Sequence, residues 1–486
     1  MKFTFIIPPV LNGKREAERV FGCTYGLYHI PNIFILYAAA VIRRKGVKVS
    51  FIDGVALKWS KDHFIRYVEK AFGEAFLFYT VNLAKENDLY SLKIIRKYHP
   101  HAWVIFMGPS PTYTPEEYLT EEKVVVIRGE TEDTISLLCG IFHNEKKADE
   151  KALAVCKGIS YLLNGKIRHN PKNAAISNID TLPFPARDLL DKRRYFNPKL
   201  GITPFTALLT SRGCSFHCRY CVPNSLSFAR ELEFRRGLDS WCKPKVAIRS
   251  HENVGVELKL LKKDGYKAIS ILDDQFVLEG QREIKIAETM GRLGFVWGCL
   301  SRGDMIKEDM ARAFGENNCK YVDVGVESFC QDILDDISKG TTVDKQYRGI
   351  EFLKKYKVPV KLNILLGASP LETKETINRT LSIARELAPY SIMVGICNPF
   401  PGTEFWDIAL REKWLISLKY RPVDVQKEST IEYSHLCKKD LERSVVWANL
   451  KFFLRPGFII KNIIRTKSLV VLIKAFRPLL KKITAP

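Results

Sequence analysis

The stretch Ser211-Arg-Gly-Cys-Ser-Phe-His-Cys-Arg-Tyr-Cys-Val-Pro-Asn224 decides the reading of this chain, because Cys214, Cys218 and Cys221 stand in it as CxxxCxxC. The residues before it, Thr206-Ala-Leu-Leu-Thr210, read as a short buried strand, so the cysteines sit on a loop leaving a strand end. Thiolates crowded this closely suit a soft-metal centre, and three of them leave one corner of a four-iron cluster without a protein ligand. Such an open iron binds a small molecule, which a fully ligated cluster cannot. Structural zinc is the rival, with His217, Cys242 or His251 as fourth ligand. A disulfide framework among the twelve cysteines would need an oxidising compartment. The N-terminus, Met1-Lys-Phe-Thr-Phe-Ile-Ile-Pro-Pro9, lacks a long apolar core and a small-residue cleavage site, so it reads as a first strand. A reduced cytoplasmic setting and iron–sulfur chemistry are therefore expected.

Outward from that loop, 486 residues exceed what one core supports, and two or three domains are expected. The formal charge of +22 implies an anionic partner, a nucleic acid or a membrane surface. Residues 1–150 alternate apolar strands (Phe3–Ile7, Val47–Ile52, Ala75–Val81, Trp103–Met107, Val124–Ile127) with helices over Pro31–Arg44 and Leu83–Tyr98. That pattern predicts an α/β fold with a doubly wound parallel sheet and a ligand cleft at the carboxyl ends of its strands. The loops there, Pro8-Pro9-Val-Leu-Asn-Gly13, Asp53-Gly54 and Gly108-Pro109-Ser110, make Pro8, Asp53, Gly108 and Ser110 the candidate contacts. Residues 151–200 read as a connector, with a hairpin around Asn164-Gly165 and a proline-broken phrase, Leu182-Pro-Phe-Pro-Ala-Arg-Asp-Leu189.

From about residue 200 to 410 strand–helix units repeat, and polar residues gather where the strands end. Ala268–Leu272 runs into Asp273-Asp274, and Phe295-Val-Trp-Gly-Cys-Leu-Ser runs into Arg302-Gly-Asp304. Tyr321-Val-Asp-Val-Gly325-Val runs into Glu327-Ser328, and Lys361-Leu-Asn-Ile-Leu-Leu into Gly367-Ala-Ser-Pro370. Carboxylates at a strand's carboxyl end are placed to accept hydrogen bonds from a bound ammonium or ribose. Their repetition at successive strand ends argues against a merely solvated surface. Cys242, Cys299, Cys319 and Cys330 show no paired spacing and are expected to be free, buried thiols.

The CxxxCxxC with Tyr220 before its last cysteine resembles the radical S-adenosylmethionine (SAM) enzymes. The resemblance implies that Cys214, Cys218 and Cys221 hold a [4Fe–4S] cluster whose open iron binds the amino and carboxylate groups of SAM. One electron, from a donor such as flavodoxin or ferredoxin, then cleaves SAM to a 5′-deoxyadenosyl radical. By position, Asp273 and Asp274 resemble the motif that contacts the SAM amino group, and Arg302 the arginine that pairs with its carboxylate. Glu327 and Ser328 match a Gly-x-Glu-Ser motif near the ribose. Gly367 and Pro370 resemble a Gly-x-Pro-Gly-Glu-Thr phrase beside adenine, from which Leu371 departs by replacing a glycine.

The preceding domain and its linker phrase resemble the cobalamin-binding subfamily of anaerobic porphyrin cyclases, hopanoid-modifying enzymes and carbon methyltransferases. The Asp-x-His-x-x-Gly motif that supplies a histidine to cobalt is absent, which implies cobalamin bound without that ligand. The implied architecture is a Rossmann-like, cobalamin-binding type domain over 1–150, a linker over 151–200, a partial (β/α)6 radical SAM barrel over 201–410, and a helical region over 411–486. The implied reaction is methylation or cyclisation at an unactivated carbon. A radical SAM enzyme without cobalamin acting on a soluble substrate, or a non-catalytic iron–sulfur or zinc protein, are the alternatives.

Beyond Glu442 the chain has no acidic residue, while basic side chains from Lys451 to Lys482 interleave with Phe, Ile, Leu and Val. Its longest apolar run there, Leu469–Ile473, is too short to span a bilayer. A basic amphipathic segment over 451–484 is expected to lie on an anionic membrane surface, which puts the enzyme on the inner face of the membrane. A lipid, isoprenoid or tetrapyrrole-like substrate would follow. The other reading is a helix packed on the protein's own core. A nucleic-acid partner is disfavoured, since no recognised binding module accompanies the charge.

Overall fold

A computed structural model describes residues 2–11, 17–22, 28–71, 75–144, 150–421 and 423–455. The chain forms two compact units. One runs to Ser215 and resumes over Val222–Cys299; the other takes Phe216–Cys221 and the chain from Leu300 onward.

The first unit opens with a sheet of β1 (Lys2–Ile7), β2 (Lys48–Asp53), β3 (Ala75–Tyr79), β4 (Trp103–Met107), β5 (Val124–Ile127), β6 (Ile159–Leu163) and β7 (Lys166–His169). Strands β1, β3, β4 and β5 are nearly continuous apolar runs because parallel strands are covered on both faces. On one face the helix Ile33–Arg44, capped by Asn32, lies over Phe3, Phe5, Leu77 and Ile105. On the other, Phe64, Val68, Leu92 and Ile95 cover Ile6, Phe76, Phe78 and Val104. The order is β2-β1-β3-β4-β5 in parallel, with β6 and β7 added antiparallel. This is the flavodoxin-like winding, whose switch point lies between β1 and β3.

The hairpin expected inside the 151–200 connector turns at Asn164-Gly165, both at positive φ, and forms the outer edge of this sheet. The correction has a physical reason. An all-apolar β5 would present an unpaired edge, and β6 covers it. Strand β3 ends at Tyr79, short of the expected Val81, where the Thr80 amide donates to the Met107 carbonyl.

Past the hairpin, β8 (Phe205–Leu208), β11 (Ala268–Ile271) and β12 (Val296–Ser301) pair in parallel, with a small ribbon of β9 (Ser211–Arg212) and β10 (Ala247–Ile248) between them in sequence. The helices His251–Lys263 and Gln281–Arg292 connect these strands. In the second unit β13 (Cys319–Glu327), β14 (Val360–Leu366) and β15 (Ser391–Ile396) pair in parallel, joined through the helices Val343–Lys355 and Lys374–Glu386. The expected strand–helix alternation is therefore present in both units. The last described helix, Lys438–Phe453, starts three residues before the expected Leu441. The basic segment that carries the membrane expectation lies, from residue 456 on, outside the described residues. No helix among the described residues is long and apolar enough to cross a membrane.

Candidate active site

At the switch point of the first sheet Pro8 is buried at the end of β1. Asp53 is buried and engaged: Oδ1 accepts from the Ala56 amide at 2.9 Å and Oδ2 from the Tyr195 hydroxyl at 2.8 Å. Burial pushes its pKa up, and the Ala56 and Tyr195 hydrogen bonds, then the His29 imidazole, oppose that shift. His29 therefore stands near Asp53. Ser110 Oγ accepts from the Tyr118 hydroxyl at 2.7 Å. Gly108 has φ +106°, and a Cβ there would lie 2.8 Å from the Thr80 carbonyl oxygen, so the two strand ends touch only because it is glycine. The polar side chains expected to meet a ligand are thus engaged with the protein, which leaves backbone and apolar edges to line the cleft.

The Arg128-Gly129-Glu130 phrase does something the sequence did not suggest. It locks the sheet to the helix Ser225–Arg235 that follows the cysteine loop. Arg128 Nε donates to both Glu233 carboxylate oxygens at 3.1 Å. Glu130 accepts from Arg212 at 2.9 Å and Arg230 at 3.0 Å, and Glu132 accepts from Arg212 at 2.6 Å. All six side chains are buried. Gly129, at φ +73°, permits the approach, since a Cβ there would lie 2.9 Å from Glu233 Cβ.

The two aspartates after β11 separate into different roles. Asp273 accepts from the Thr210 amide at 2.7 Å and from the Thr210 and Ser211 hydroxyls, which fixes the backbone entering the cysteine loop. Asp274 accepts from the Asn224 amide at 2.6 Å through Oδ1, while Oδ2 has no hydrogen-bond partner. Burial raises its pKa to about 7. Of the pair, Asp274 is the one with an oxygen to offer a ligand.

In the second unit Arg302 is already gripped. Its Nε and Nη2 donate to the two Asp304 oxygens at 3.0 and 2.9 Å, and Nη1 donates to the Lys339 carbonyl at 2.6 Å. Its guanidinium stacks 3.7 Å from the centre of the Phe216 ring. The fork expected to meet a SAM carboxylate is therefore engaged, and it positions Phe216 of the cysteine loop. Glu327, at φ +61°, accepts from Lys339 Nζ at 2.9 Å. Burial alone would lower the Lys339 pKa, but Glu327 and then Cys218 outweigh it and hold it up. Lys339 thus supplies positive charge to the Cys218 thiol. Tyr220 has its pKa raised by burial and by the charges of Glu327, Cys218, Cys221 and Cys397. Ser328 is turned away from this group: its hydroxyl lies 3.1 Å from Thr380 Oγ1 and accepts from the Cys330 amide.

Gly367 is held from both sides. Its amide donates to Glu372, and its carbonyl accepts from the Tyr433 hydroxyl at 2.9 Å. His435 Nε2 lies 2.8 Å from the Glu372 carbonyl, and Asn398 Oδ1 accepts from the Thr430 amide at 2.7 Å. The segment after residue 428 therefore straps the ends of β14 and β15. Pro370 is half-buried, and Leu371 beside it points to solvent.

Cys214, Cys218 and Cys221 are half-exposed, and the Cys221 amide donates to the Cys218 carbonyl at 3.2 Å. Three accessible thiols on one loop, with a buried lysine beside Cys218, have the donor chemistry that a cluster with an open corner requires. Among the described residues no three His, Cys, Asp or Glu side chains converge closely enough to hold a single ion. A cluster asks for another arrangement, with each thiolate on its own iron. The zinc candidates have other neighbours: Cys242 Sγ accepts from Ser240 at 3.1 Å, and His251 pairs with Glu252. Cys299, Cys319 and Cys330 are buried as expected, while Cys242 is half-exposed.

Residues 208–411, which contain the cysteine loop and the strand ends just described, match the radical SAM superfamily. The chain thus carries a radical SAM domain. It is 29% identical to an uncharacterized methyltransferase of Pyrococcus horikoshii, over 99% of this chain and 98% of that protein. The anaerobic magnesium-protoporphyrin IX monomethyl ester cyclase of Rubrivivax gelatinosus is 23% identical over 77% of this chain, which spans 66% of the cyclase. Among solved structures, the radical SAM methyltransferase TsrM of Kitasatospora setae, with cobalamin and a [4Fe–4S] cluster bound, superposes with a TM-score of 0.65. That match covers 91% of this chain and 84% of TsrM at 14% identity, and it shows a shared fold.

Proposed function

We propose that the protein methylates or cyclises an unactivated carbon of a small molecule, with cobalamin as its second cofactor beside the [4Fe–4S] cluster and SAM. The carrying observation is the cysteine loop, whose three thiols are half-exposed, with the buried Lys339 beside Cys218. When bound, the cluster and SAM supply a carbon radical that abstracts hydrogen, and cobalamin supplies a methyl group. The chain's own residues do the rest. Cys214, Cys218 and Cys221 hold the cluster. Lys339 compensates thiolate charge, and Arg302 sets Phe216 against the loop. Asp274 offers its unpaired oxygen to the SAM ammonium. Glu372, Tyr433 and Gly367 fix the strand end beside the adenine. Cobalamin is supported by the flavodoxin-like sheet with its switch point, and by the cobalamin bound in the TsrM structure that shares this fold. A lipid or tetrapyrrole-like substrate reached from a membrane surface rests on the basic tail, and a small redox protein is the expected electron donor.

Protein purified without oxygen and reconstituted should hold about four irons per chain and form 5′-deoxyadenosine with dithionite and SAM. Ala at Cys214, Cys218 and Cys221 should abolish both, and Cys242→Ala neither. Zinc in place of iron would overturn the proposal. For cobalamin, hydroxocobalamin should remain bound after desalting. The electron paramagnetic resonance of its cob(II)alamin form should lack nitrogen splitting from a lower axial ligand. Splitting that disappears in His29→Ala would give that histidine to cobalt. No retained cobalamin would leave the domain a role in shaping the substrate cleft.

A further inference from the structure

The three strands of the second unit have two different faces. Val322, Val324, Leu362, Ile364 and Leu366 lie on one face and are wholly shielded from water. The other face carries two rows fixed by register, Asp323 beside Lys361 beside Ser391, then Gly325 beside Asn363 beside Met393. Every one of those six is only partly buried. Parallel strands covered on both sides ordinarily show apolar residues on both. A charged pair and an amide in mid-strand mark a surface that receives something polar.

We propose that this face binds the polar end of the substrate, and that this end carries a carboxylate or phosphate next to an N–H or O–H donor. The inference rests on the radical SAM reading and names the substrate class for it. Lys361 Nζ stands 3.5 Å from Asp323 Oδ2, a loose pair with side chains 21% and 14% exposed, so the ammonium has room to take a second anion. Asn363 Oδ1 is buried with no hydrogen-bond partner, and the space over its register neighbour Gly325 is taken by the Glu327 carboxylate. A buried acceptor left unpaired is unfavourable until a donor reaches it. A donor on Asn363 with an adjoining anion on Lys361 satisfies both groups at once. A pure hydrocarbon on this face would leave both unpaired, so any lipid substrate has to be an amphiphile that enters by its charged end.

The test is calorimetric titration of anaerobically reconstituted, full-length protein. The charged probes are L-glutamate, cytidine 5′-monophosphate and protoporphyrin IX; the apolar probe is squalene in detergent. At least one charged probe should bind, weakened tenfold or more by Lys361→Met and by Asn363→Leu. Lys361→Arg should keep the affinity, and so should Lys320→Met, at an exposed position of the neighbouring strand β13. Melting of each unliganded variant is recorded alongside, and Asn363→Ser replaces the leucine variant if that one melts early. Binding of squalene alone, no binding of any charged probe, or unchanged affinity in both variants would overturn the proposal. Iron content and 5′-deoxyadenosine are measured on the same samples. Their loss with probe binding intact sinks the radical reading and leaves this site standing, and the converse sinks only the site.

Discussion

Lys339 Nζ lies 2.9 Å from Glu327 Oε1, with both side chains nearly shielded from water. Glu327 adopts φ +61° at the irregular end of β13, where the register with β14 shifts. A non-glycine residue keeps that conformation only where its surroundings impose it. The ion pair supplies the restraint, and through Lys339 it connects the strand end to the charge on Cys218.

Breaking one side of this pair should therefore be severe. Lys339→Met leaves a buried carboxylate uncompensated and should lower stability by about 3–5 kcal/mol. The double variant Lys339→Met, Glu327→Gln removes both charges and should recover most of that loss. Urea denaturation of the apo-protein measures it, and iron retention reports the Cys218 effect separately. Equal stability of the single and double variants would show that the pair does not hold the strand end.

Arg302 makes a second testable claim, because its two-pronged contact with Asp304 and its stacking on Phe216 need a planar fork. Arg302→Lys retains the charge and loses the geometry. Stability should fall by about 2 kcal/mol, and iron should leave the reconstituted variant faster under chelator. If the SAM dissociation constant changes while iron loss does not, the guanidinium meets SAM directly and rearranges to do so.

The buried Arg128–Glu233 pair should join the N-terminal sheet to the helix after the cysteine loop. Glu233→Gln removes the charge that Arg128 and Arg236 share and should cost about 3 kcal/mol. Limited proteolysis of that variant should cut earlier between residues 128 and 235 than in the parent chain. An unchanged melting temperature would mean that the helix is held by apolar packing alone.

The sequence revealed most where chemistry and backbone geometry share a short segment. Apolar runs located β1, β3, β4 and β5, although β3 stops at Tyr79, two residues short of its run. What it concealed were partners brought from far along the chain. Lys339 lies twelve residues past Glu327, and Tyr433 lies 66 residues past Gly367, and neither has a local pattern to announce it. Arg302 and Asp304 stand two residues apart in the quoted motif, yet nothing in it announced that one forks onto the other. Asp273 and Asp274 looked equivalent, and only the Thr210 contacts tell them apart.

That distinction yields a pH prediction. Burial raises the Asp274 pKa from 3.8 to about 7, so between those values the folded chain holds a proton that the unfolded chain has released. Its stability contribution is fully present below the lower value and is lost as pH rises through about 7. The effect is at most about 4 kcal/mol, and less where water reaches the half-buried side chain. Asp274→Asn keeps an acceptor for the Asn224 amide and carries no titrating proton. Denaturation midpoints of the parent should fall between pH 3.8 and about 7 more steeply than those of the variant. SAM binding reads the same group from the other side. If Asp274 Oδ2 receives the SAM ammonium, ionisation favours the complex, so affinity should rise with pH through about 7 in the parent and lose that dependence in Asp274→Asn. A SAM affinity with the same pH profile in both proteins would remove Asp274 from the cofactor site, even if the stability slopes differ as expected.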